Sequence, residues 1–203
     1  MTALLRRTMT AGVFGLLTLG GAAQGPPATL SADQTVSIIQ ELEATRQFEQ
    51  RVNEYVTLHR LLEGPLPPLQ PTRDMAVVRA NMRLLATRIQ VARRNARQGD
   101  IITPAVGRVF KHRIATCLSP EDWAAVFADI DADRDRPPMK PADLRVNMEW
   151  PAGVGIEFVP PQLLMVLPAL PPELQYRIIG RTLVLWDHHA DLIVDFLPRA
   201  FTT

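Results

Sequence analysis

The chain has 203 residues, of which 22 are lysine or arginine and 21 are aspartate or glutamate. Because the net charge is close to zero, neither nucleic acid nor an anionic membrane surface is expected as a main partner. This length is enough to bury one sizeable hydrophobic core without disulfides. The single cysteine, Cys117, has no partner for an internal disulfide, and we expect it to be a small buried hydrophobic residue.

Residues 1–23 have the three-part layout of a Sec-type signal peptide. Arg6 and Arg7 precede an uncharged and mostly apolar run at 8–19, and small residues follow this run up to Ala23. We therefore predict cleavage after Ala23 and a periplasmic or secreted protein. The alternative is a retained membrane anchor, but the run is shorter than the roughly 20 apolar residues that span a bilayer, so no stable membrane span is expected after cleavage.

A long first helix is predicted to start with a capping-box pattern at Ser31 and Gln34 and to end near Glu63. Its inner face is predicted from apolar residues at helical spacing: Ile38, Phe48, Val52, Tyr55 and Leu62. A Pro-rich link follows, and Thr72 is the predicted cap of a second helix. The inner face of that helix repeats at steps of three and four: Met75, Val78, Met82, Leu85, Ile89, Ala92 and Ala96. Two long helices joined by a short link predict an antiparallel hairpin.

The two predicted helices differ in charge. Residues 33–63 hold six acids against three arginines, whereas residues 73–97 hold seven arginines against Asp74 alone. One hypothesis is a surface for an acidic partner, formed by Arg79, Arg83, Arg93 and Arg97. The simpler alternative, which we favour, is a solvated face with a few ion pairs across the hairpin to Glu49, Glu54 or Glu63.

Two shorter helices are predicted next. Thr103-Pro104 and Ser119-Pro120 each place a capping residue before a proline that starts a helix. The expected inward residues are Val106, Phe110, Ile114 and Cys117 in the third helix and Trp123, Phe127 and Ile130 in the fourth.

Beyond Pro137 the apolar period falls from 3.6 to two, which is typical of strands. Alternation at 144–150 and 154–158 predicts a hairpin, and one short helical segment is predicted at 161–167. Three strands are then predicted at 174–179, 181–187 and 191–197.

The resulting fold class is α+β, with a helical hairpin, two shorter helices and a small antiparallel sheet packed on them. Residues 1–23 form the predicted signal peptide and 24–32 a short lead. The helical region at 33–136 and the Pro-rich β tail at 137–203 are expected to form one domain.

The turn between the last two predicted strands concentrates metal-binding side chains: Asp187, His188, His189 and Asp191. Two imidazoles and a carboxylate suit zinc, nickel or copper. Adjacent side chains of an extended chain point in opposite directions, so both histidines bind one ion only if the turn aims them together. A solvated polar turn is the alternative, and a protein interface could add further ligands. His59 and His112 are isolated on helices, and each is expected to be a packed or surface residue.

Signatures of catalysis are absent for the common hydrolase and nucleotide-binding classes. A carboxylate pair, Glu149 and Glu157, is a weak basis for a hydrolase. We therefore expect a non-enzymatic protein with no cofactor, apart from a possible transition metal.

Two stretches of the chain carry recognisable motifs. The first comprises Phe48-x-x-Arg51-Val52-x-x-Tyr55-x-x-Leu58-His59-x-x-Leu62-Glu63, Leu66-Pro67-Pro68-Leu69, and Ala92-Arg93 through Gly99-Asp100-Ile101 to Thr103-Pro104-x-Val106. The second comprises Tyr176-Arg177, Gly180-Arg181-x-Leu183 and Leu192-Ile193-Val194-Asp195-Phe196. Together they resemble an uncharacterised family of exported bacterial proteins. This resemblance implies export and brings no activity with it.

The last 30 residues contain Leu170-Pro171-Pro172, Tyr176-Arg177, a turn at Gly180, Leu183-x-Leu185-x-Asp187 and Ile193-Val194-Asp195. In outline these features are similar to periplasmic nickel and cobalt homeostasis regulators. Those proteins carry glycine before the final strand, where this chain has His189-Ala190. The similarity implies a shared β-hairpin shape and does not transfer function.

The leading hypothesis is an exported, non-enzymatic protein that mediates protein interaction in the cell envelope, through an unknown envelope protein or self-association. The first alternative is a metal-binding or metal-sensing accessory protein that uses the turn from Asp187 to Asp191. The second alternative is a hydrolase.

Overall fold

The computed structural model describes residues 31–67, 73–132, 143–151 and 159–201. Within these ranges helices precede a three-stranded antiparallel sheet, and the predicted α+β fold class is confirmed. The helices are α1 (Ala32–Glu63), α2 (Met75–Ala92), α3 (Pro104–Cys117), α4 (Pro120–Ala132) and α5 (Pro161–Val166). The strands are β1 (Leu174–Ile179), β2 (Thr182–Asp187) and β3 (Leu192–Leu197). No helix in the described ranges is long and apolar enough to cross a membrane.

Capping side chains start the first two helices. Ser31 Oγ accepts a hydrogen bond from Gln34 N at 3.2 Å and Gln34 Oε1 accepts one from Ser31 N at 2.9 Å, so the predicted capping box of α1 is confirmed. The cap of α2 is Asp74, whose Oδ1 accepts from Ala76 N at 2.8 Å. The predicted cap at Thr72, which lies outside the described residues, is therefore wrong, because the helix begins at Met75.

The helical hairpin buries only part of each predicted face. On α1 the buried residues begin at Ala44, whereas Ile38 is 45% exposed. On α2 the buried residues are Leu85, Ala86 and Ile89, and Met75 at the start of the helix is 55% exposed. The first three turns of α1 and the outer side of α2 therefore lie outside the core.

The two shorter helices close the core against the sheet. Thr103 Oγ1 accepts from Val106 N at 3.3 Å and Pro104 occupies the first turn of α3, as predicted. A Cβ atom at Gly107 would lie 2.8 Å from Leu197 Cδ1, so glycine allows α3 to approach β3 closely. The predicted inward residues Val106, Phe110, Ile114, Trp123 and Phe127 are buried, Cys117 is half-buried, and the side chain of Ile130 lies outside the described set.

The sheet has the order β1-β2-β3, and its central strand β2 is buried along its whole length. The predicted bounds of the first strand are confirmed, while β2 and β3 each begin one residue later than predicted. Leu174 and Leu192 both pair with Asp187, which ends β2. The antiparallel register therefore places Asp187 on the central strand, beneath the C-terminal half of α1.

The predicted strand at 144–150 is not formed. Glu149 makes an isolated bridge with Leu192, and the extended backbone is interrupted at Asn147, which has a φ of 62°. Asn147 Nδ2 donates to Arg93 O at 2.8 Å, which fixes this bend against the end of α2. The segment still covers the second face of the sheet through Leu144, Val146 and Trp150. The partner strand predicted at 154–158 lies outside the described residues.

Candidate metal centre

Asp187 accepts four hydrogen bonds, two of which join the sheet to α1. Its Oδ2 atom accepts from Tyr55 Oη at 2.5 Å and from His59 Nδ1 at 2.6 Å. Its Oδ1 atom accepts from the backbone N–H groups of His189 at 3.0 Å and Ala190 at 2.9 Å. The side chain is completely buried, so all its interactions are with protein donors.

Hydrogen bonding to Asp187 orients the imidazole of His59. Tyr55 and His59 are four residues apart on α1 and therefore face the sheet together. Because His59 Nδ1 donates to Asp187, the other ring nitrogen, Nε2, carries the lone pair of the neutral ring. Nε2 is buried and has no hydrogen-bond partner among the described residues. A fully buried polar atom without a partner is costly unless something else satisfies it.

His59 Nε2 faces two other potential ligands. It lies 3.4 Å from Glu63 Oε2, which is one helical turn further along α1. Glu63 Oε1 lies 3.5 Å from His189 Nδ1, which is also buried and has no hydrogen-bond partner in the described part of the chain. One ligand atom from each of these three residues lies within 4.8 Å of the other two. We call this set of His59, Glu63 and His189 the metal cluster.

The distances within the metal cluster suit a shared cation better than hydrogen bonds. They exceed the usual N–H···O range of about 2.7 to 3.2 Å. Two ligands that bind one zinc ion at about 2.1 Å with tetrahedral angles lie about 3.4 Å apart, which is the separation of His59 Nε2 from Glu63 Oε2. Two imidazoles and one carboxylate are a common donor set for zinc and other transition metals. Three protein ligands leave a fourth position for water or another molecule.

The surroundings of the metal cluster are negative. Burial lowers the pKa of His59, but the hydrogen bond to Asp187 and the charges of Asp187, Glu63 and Glu173 outweigh burial, so its pKa lies above the usual value. Burial raises the pKa of Asp187, but the hydrogen bond and charge of His59 and the hydrogen bond from Tyr55 hold it below the usual value. The cluster also lies at the C-terminal end of α1, where the helix dipole favours a cation.

Access to the metal cluster is from one side. His59 is fully buried, whereas the side chains of Glu63 and His189 are 42% and 37% exposed. Arg60 Nε donates to Glu173 Oε1 at 2.6 Å and fixes α1 to the segment before β1. The cluster is therefore held by folded elements but open to solvent through Glu63 and His189.

No family model, curated protein or solved structure matches this chain. The two family resemblances drawn from sequence therefore stay predictions, and the functional argument depends on the geometry of the site.

The four metal-binding residues predicted on the turn take different positions. His189 belongs to the metal cluster, and Asp187 lies behind it and holds His59. His188 is turned away, with its Nε2 atom 2.7 Å from Pro172 O. Asp191 Oδ1 instead accepts from Trp186 Nε1 at 3.1 Å on the second face of the sheet. The rings of the two histidines are in contact, with centroids 4.6 Å apart, but only His189 directs a ring nitrogen into the metal cluster.

Sequence reasoning missed two members of the metal cluster, His59 and Glu63. His59 continues the spacing of the buried residues Phe48, Val52 and Tyr55, and Glu63 follows it by four residues on the same face. A histidine on an apolar helical face with a carboxylate one turn later was the available signal. The partnership with His189, 130 residues away, depends on the fold and has no local signature.

Only part of the predicted arginine surface is exposed to solvent. Arg93 is folded into the structure, where Nη1 donates to Asn147 Oδ1, Nη2 donates to Val194 O, and the guanidinium lies over the ring of Tyr55. Arg79, Arg83 and Arg97 are exposed. The predicted ion pairs of this helix with Glu49, Glu54 or Glu63 are not found in the described part of the chain.

The remaining sequence candidates lie apart from the metal cluster. His112 is exposed on α3. Glu149 is exposed beside β3, and its proposed partner Glu157 lies outside the described residues. The described residues thus give no support to the carboxylate-pair hydrolase hypothesis.

Proposed function

We propose that this chain is an exported metal-binding accessory protein that holds one transition-metal ion with His59, Glu63 and His189. The observation that carries the proposal is the buried Nε2 atom of His59, which has no partner within the described ranges and which Asp187 directs towards two further ligand atoms. Asp187 and the ring of His59 form the carboxylate–histidine pair that commonly orients a metal ligand.

The ion class follows from the ligands. Nitrogen donors and a single carboxylate favour zinc, nickel or copper over calcium or magnesium, which prefer oxygen ligands. The open fourth position can hold water, a small molecule or a ligand from a partner protein. Export is supported by the signal-peptide layout of residues 1–23.

Calorimetric titration with zinc, nickel and copper salts tests the proposal. His189→Ala removes one ligand and is expected to weaken binding at least about 100-fold. His188→Ala is the matched control, because His188 is on the same turn but bonds to Pro172 O. The metal affinity of this variant should equal that of the unmodified chain. Equal loss in both variants, or no binding by the unmodified chain, would contradict the proposed site.

Protein interaction remains a second candidate function. The observation that favours it is the exposed outer side of α2, which carries apolar residues together with Arg79 and Arg83.

A further inference from the structure

The side of α2 that faces away from the core carries a second apolar stripe. Its residues follow steps of three and four, and all are exposed: Val77, Ala80, Leu84, Thr87 and Val91. Val77, Leu84 and Val91 are 50%, 52% and 63% exposed. This is the spacing of a coiled-coil seam, and it extends over about 21 Å of helix at 1.5 Å per residue. We call these five residues the α2 outer face.

The first three turns of α1 carry a matching stripe. No residue of α1 before Ala44 is buried, and Val36, Ile39 and Leu42 are 52%, 58% and 64% exposed. They are three residues apart and lie along one side of the helix. The segment 32–43, which we call the α1 overhang, is about 18 Å long at 1.5 Å per residue, so its length is close to that of the α2 outer face.

Charge distinguishes the possible occupants of the α2 outer face. Helix α2 contains three arginines, Arg79, Arg83 and Arg88, and no acidic residue. Two copies of α2 packed together would therefore place like charges side by side, which disfavours a symmetric α2–α2 contact. The α1 overhang contains three acidic residues, Asp33, Glu41 and Glu43, and no basic residue. The formal charge of the overhang is opposite in sign to that of α2, and two of its acids also pair within the chain, Glu43 with Arg46 at 2.8 Å and Glu41 with Arg113 at 4.0 Å.

We infer that the α1 overhang of one copy of this chain docks on the α2 outer face of a second copy. Val36, Ile39 and Leu42 pack between Val77, Leu84 and Val91, and acids of the overhang face Arg79 and Arg83. Two different surfaces meet in this contact, so it either repeats from copy to copy or forms twice in a two-fold dimer. It does not involve the metal cluster and is independent of the proposed metal binding.

Sedimentation of the purified chain and of two blocked variants tests this inference. Leu84→Glu places a negative charge on the α2 outer face, and Ile39→Arg places a positive charge on the α1 overhang. Both positions are exposed, so the fold should survive, which far-UV circular dichroism checks. The unmodified chain should associate at protein concentrations in the micromolar to millimolar range. Each variant alone should stay monomeric at the same concentrations. Leu61→Glu is the matched control, since Leu61 is 70% exposed outside both surfaces and should leave association unchanged.

Mixing the two blocked variants gives the decisive result. Leu84→Glu copies retain an intact overhang and Ile39→Arg copies retain an intact α2 outer face, so an equimolar mixture should recover a dimer with one complete contact. Added salt should weaken this dimer, because part of the attraction is between exposed charges. A monomeric unmodified chain at millimolar concentration would overturn the inference, as would self-association of Ile39→Arg alone. Binding of a designed acidic helical peptide by a chain that stays monomeric would also overturn it, in favour of a different partner.

Discussion

Two aspartates on neighbouring strands, Asp187 at the end of β2 and Asp195 in β3, are both fully buried but have different partners. Among the described residues Asp195 accepts only backbone hydrogen bonds, from the N–H groups of Gly99, Ile101, Ile102 and Phe196. Asp187 uses one oxygen for the backbone of its own turn and the other for Tyr55 and His59.

The pKa directions of the two carboxyls reflect this difference. Burial raises the pKa of Asp195, and its backbone hydrogen bonds oppose the shift without reversing it. The pKa of Asp187 is lowered, because the hydrogen bond and positive charge of His59 outweigh burial. A buried carboxylate with only backbone partners stabilises a loop, whereas one that holds a histidine with a free ring nitrogen orients a site.

The largest effect on stability is expected for Asp195→Asn. The asparagine amide nitrogen would face backbone N–H donors and leave them unsatisfied, so the free energy of unfolding should fall by about 3 to 5 kcal/mol. Urea unfolding measures this change. Asp191→Asn is a matched control, because the one side-chain donor to Asp191 in the described ranges is the indole of Trp186. The metal affinity of folded Asp195→Asn should be unchanged, and a stability loss below about 1 kcal/mol would contradict a structural role for Asp195.

Asp187→Asn should affect metal binding as well as stability. An amide nitrogen near His59 Nδ1 would favour the tautomer that carries its proton on Nε2, where the metal should bind. We expect zinc affinity to fall about 10- to 100-fold, measured by calorimetry on folded protein. If Asp187→Asn and Asp195→Asn had the same effect on metal affinity, the distinction between the two aspartates would be wrong.

Protons and metal compete for His59. Because the pKa of His59 is raised, Nε2 keeps a proton to higher pH than in a free histidine, and metal affinity should fall as pH decreases through this pKa. Without metal, the raised pKa adds stability that is fully present below the unfolded pKa of about 6.5 and is lost as pH rises through the folded value.

Zinc should therefore raise the melting temperature more at about pH 8 than at about pH 6. Calorimetric melting of the chain with and without zinc measures this difference in melting temperature. The His188→Ala variant should show the same dependence on pH as the unmodified chain. A zinc effect that is constant over this range would argue against a histidine ligand with a raised pKa.

The smallest effect is expected for Tyr55→Phe. Burial and the nearby charge of Asp187 raise the pKa of Tyr55 well above its usual value, so its hydroxyl stays protonated and donates to Asp187. Loss of this donor should cost about 1 kcal/mol of unfolding free energy and weaken zinc binding only a few-fold. A loss of zinc affinity as large as that of Asp187→Asn would show that Tyr55, and not Asp187 itself, positions His59.

Local sequence signals predicted most of the helices and strands. The capping box at Ser31 and the proline at 104 fixed helix starts because caps act within a few residues. The prediction of a strand at 144–150 was wrong, because alternating apolar residues also suit an irregular segment that covers a sheet. Asn147 bends this segment.

The candidate site was only partly predictable. The metal-binding character of the turn at 187–191 is visible in its residues, but the choice of His189 over His188 depends on the path of the turn. His59 and Glu63 lie far from this turn in sequence, and only the packing of α1 on the sheet brings them to it.

The most direct test of the central claim is a zinc-loaded crystal structure with anomalous data collected on both sides of the zinc absorption edge. The proposed site predicts one anomalous peak at about 2.0 to 2.2 Å from His59 Nε2, Glu63 and His189 Nδ1. Absence of a peak between these atoms, or a single peak at His188 or His112 instead, would contradict the account.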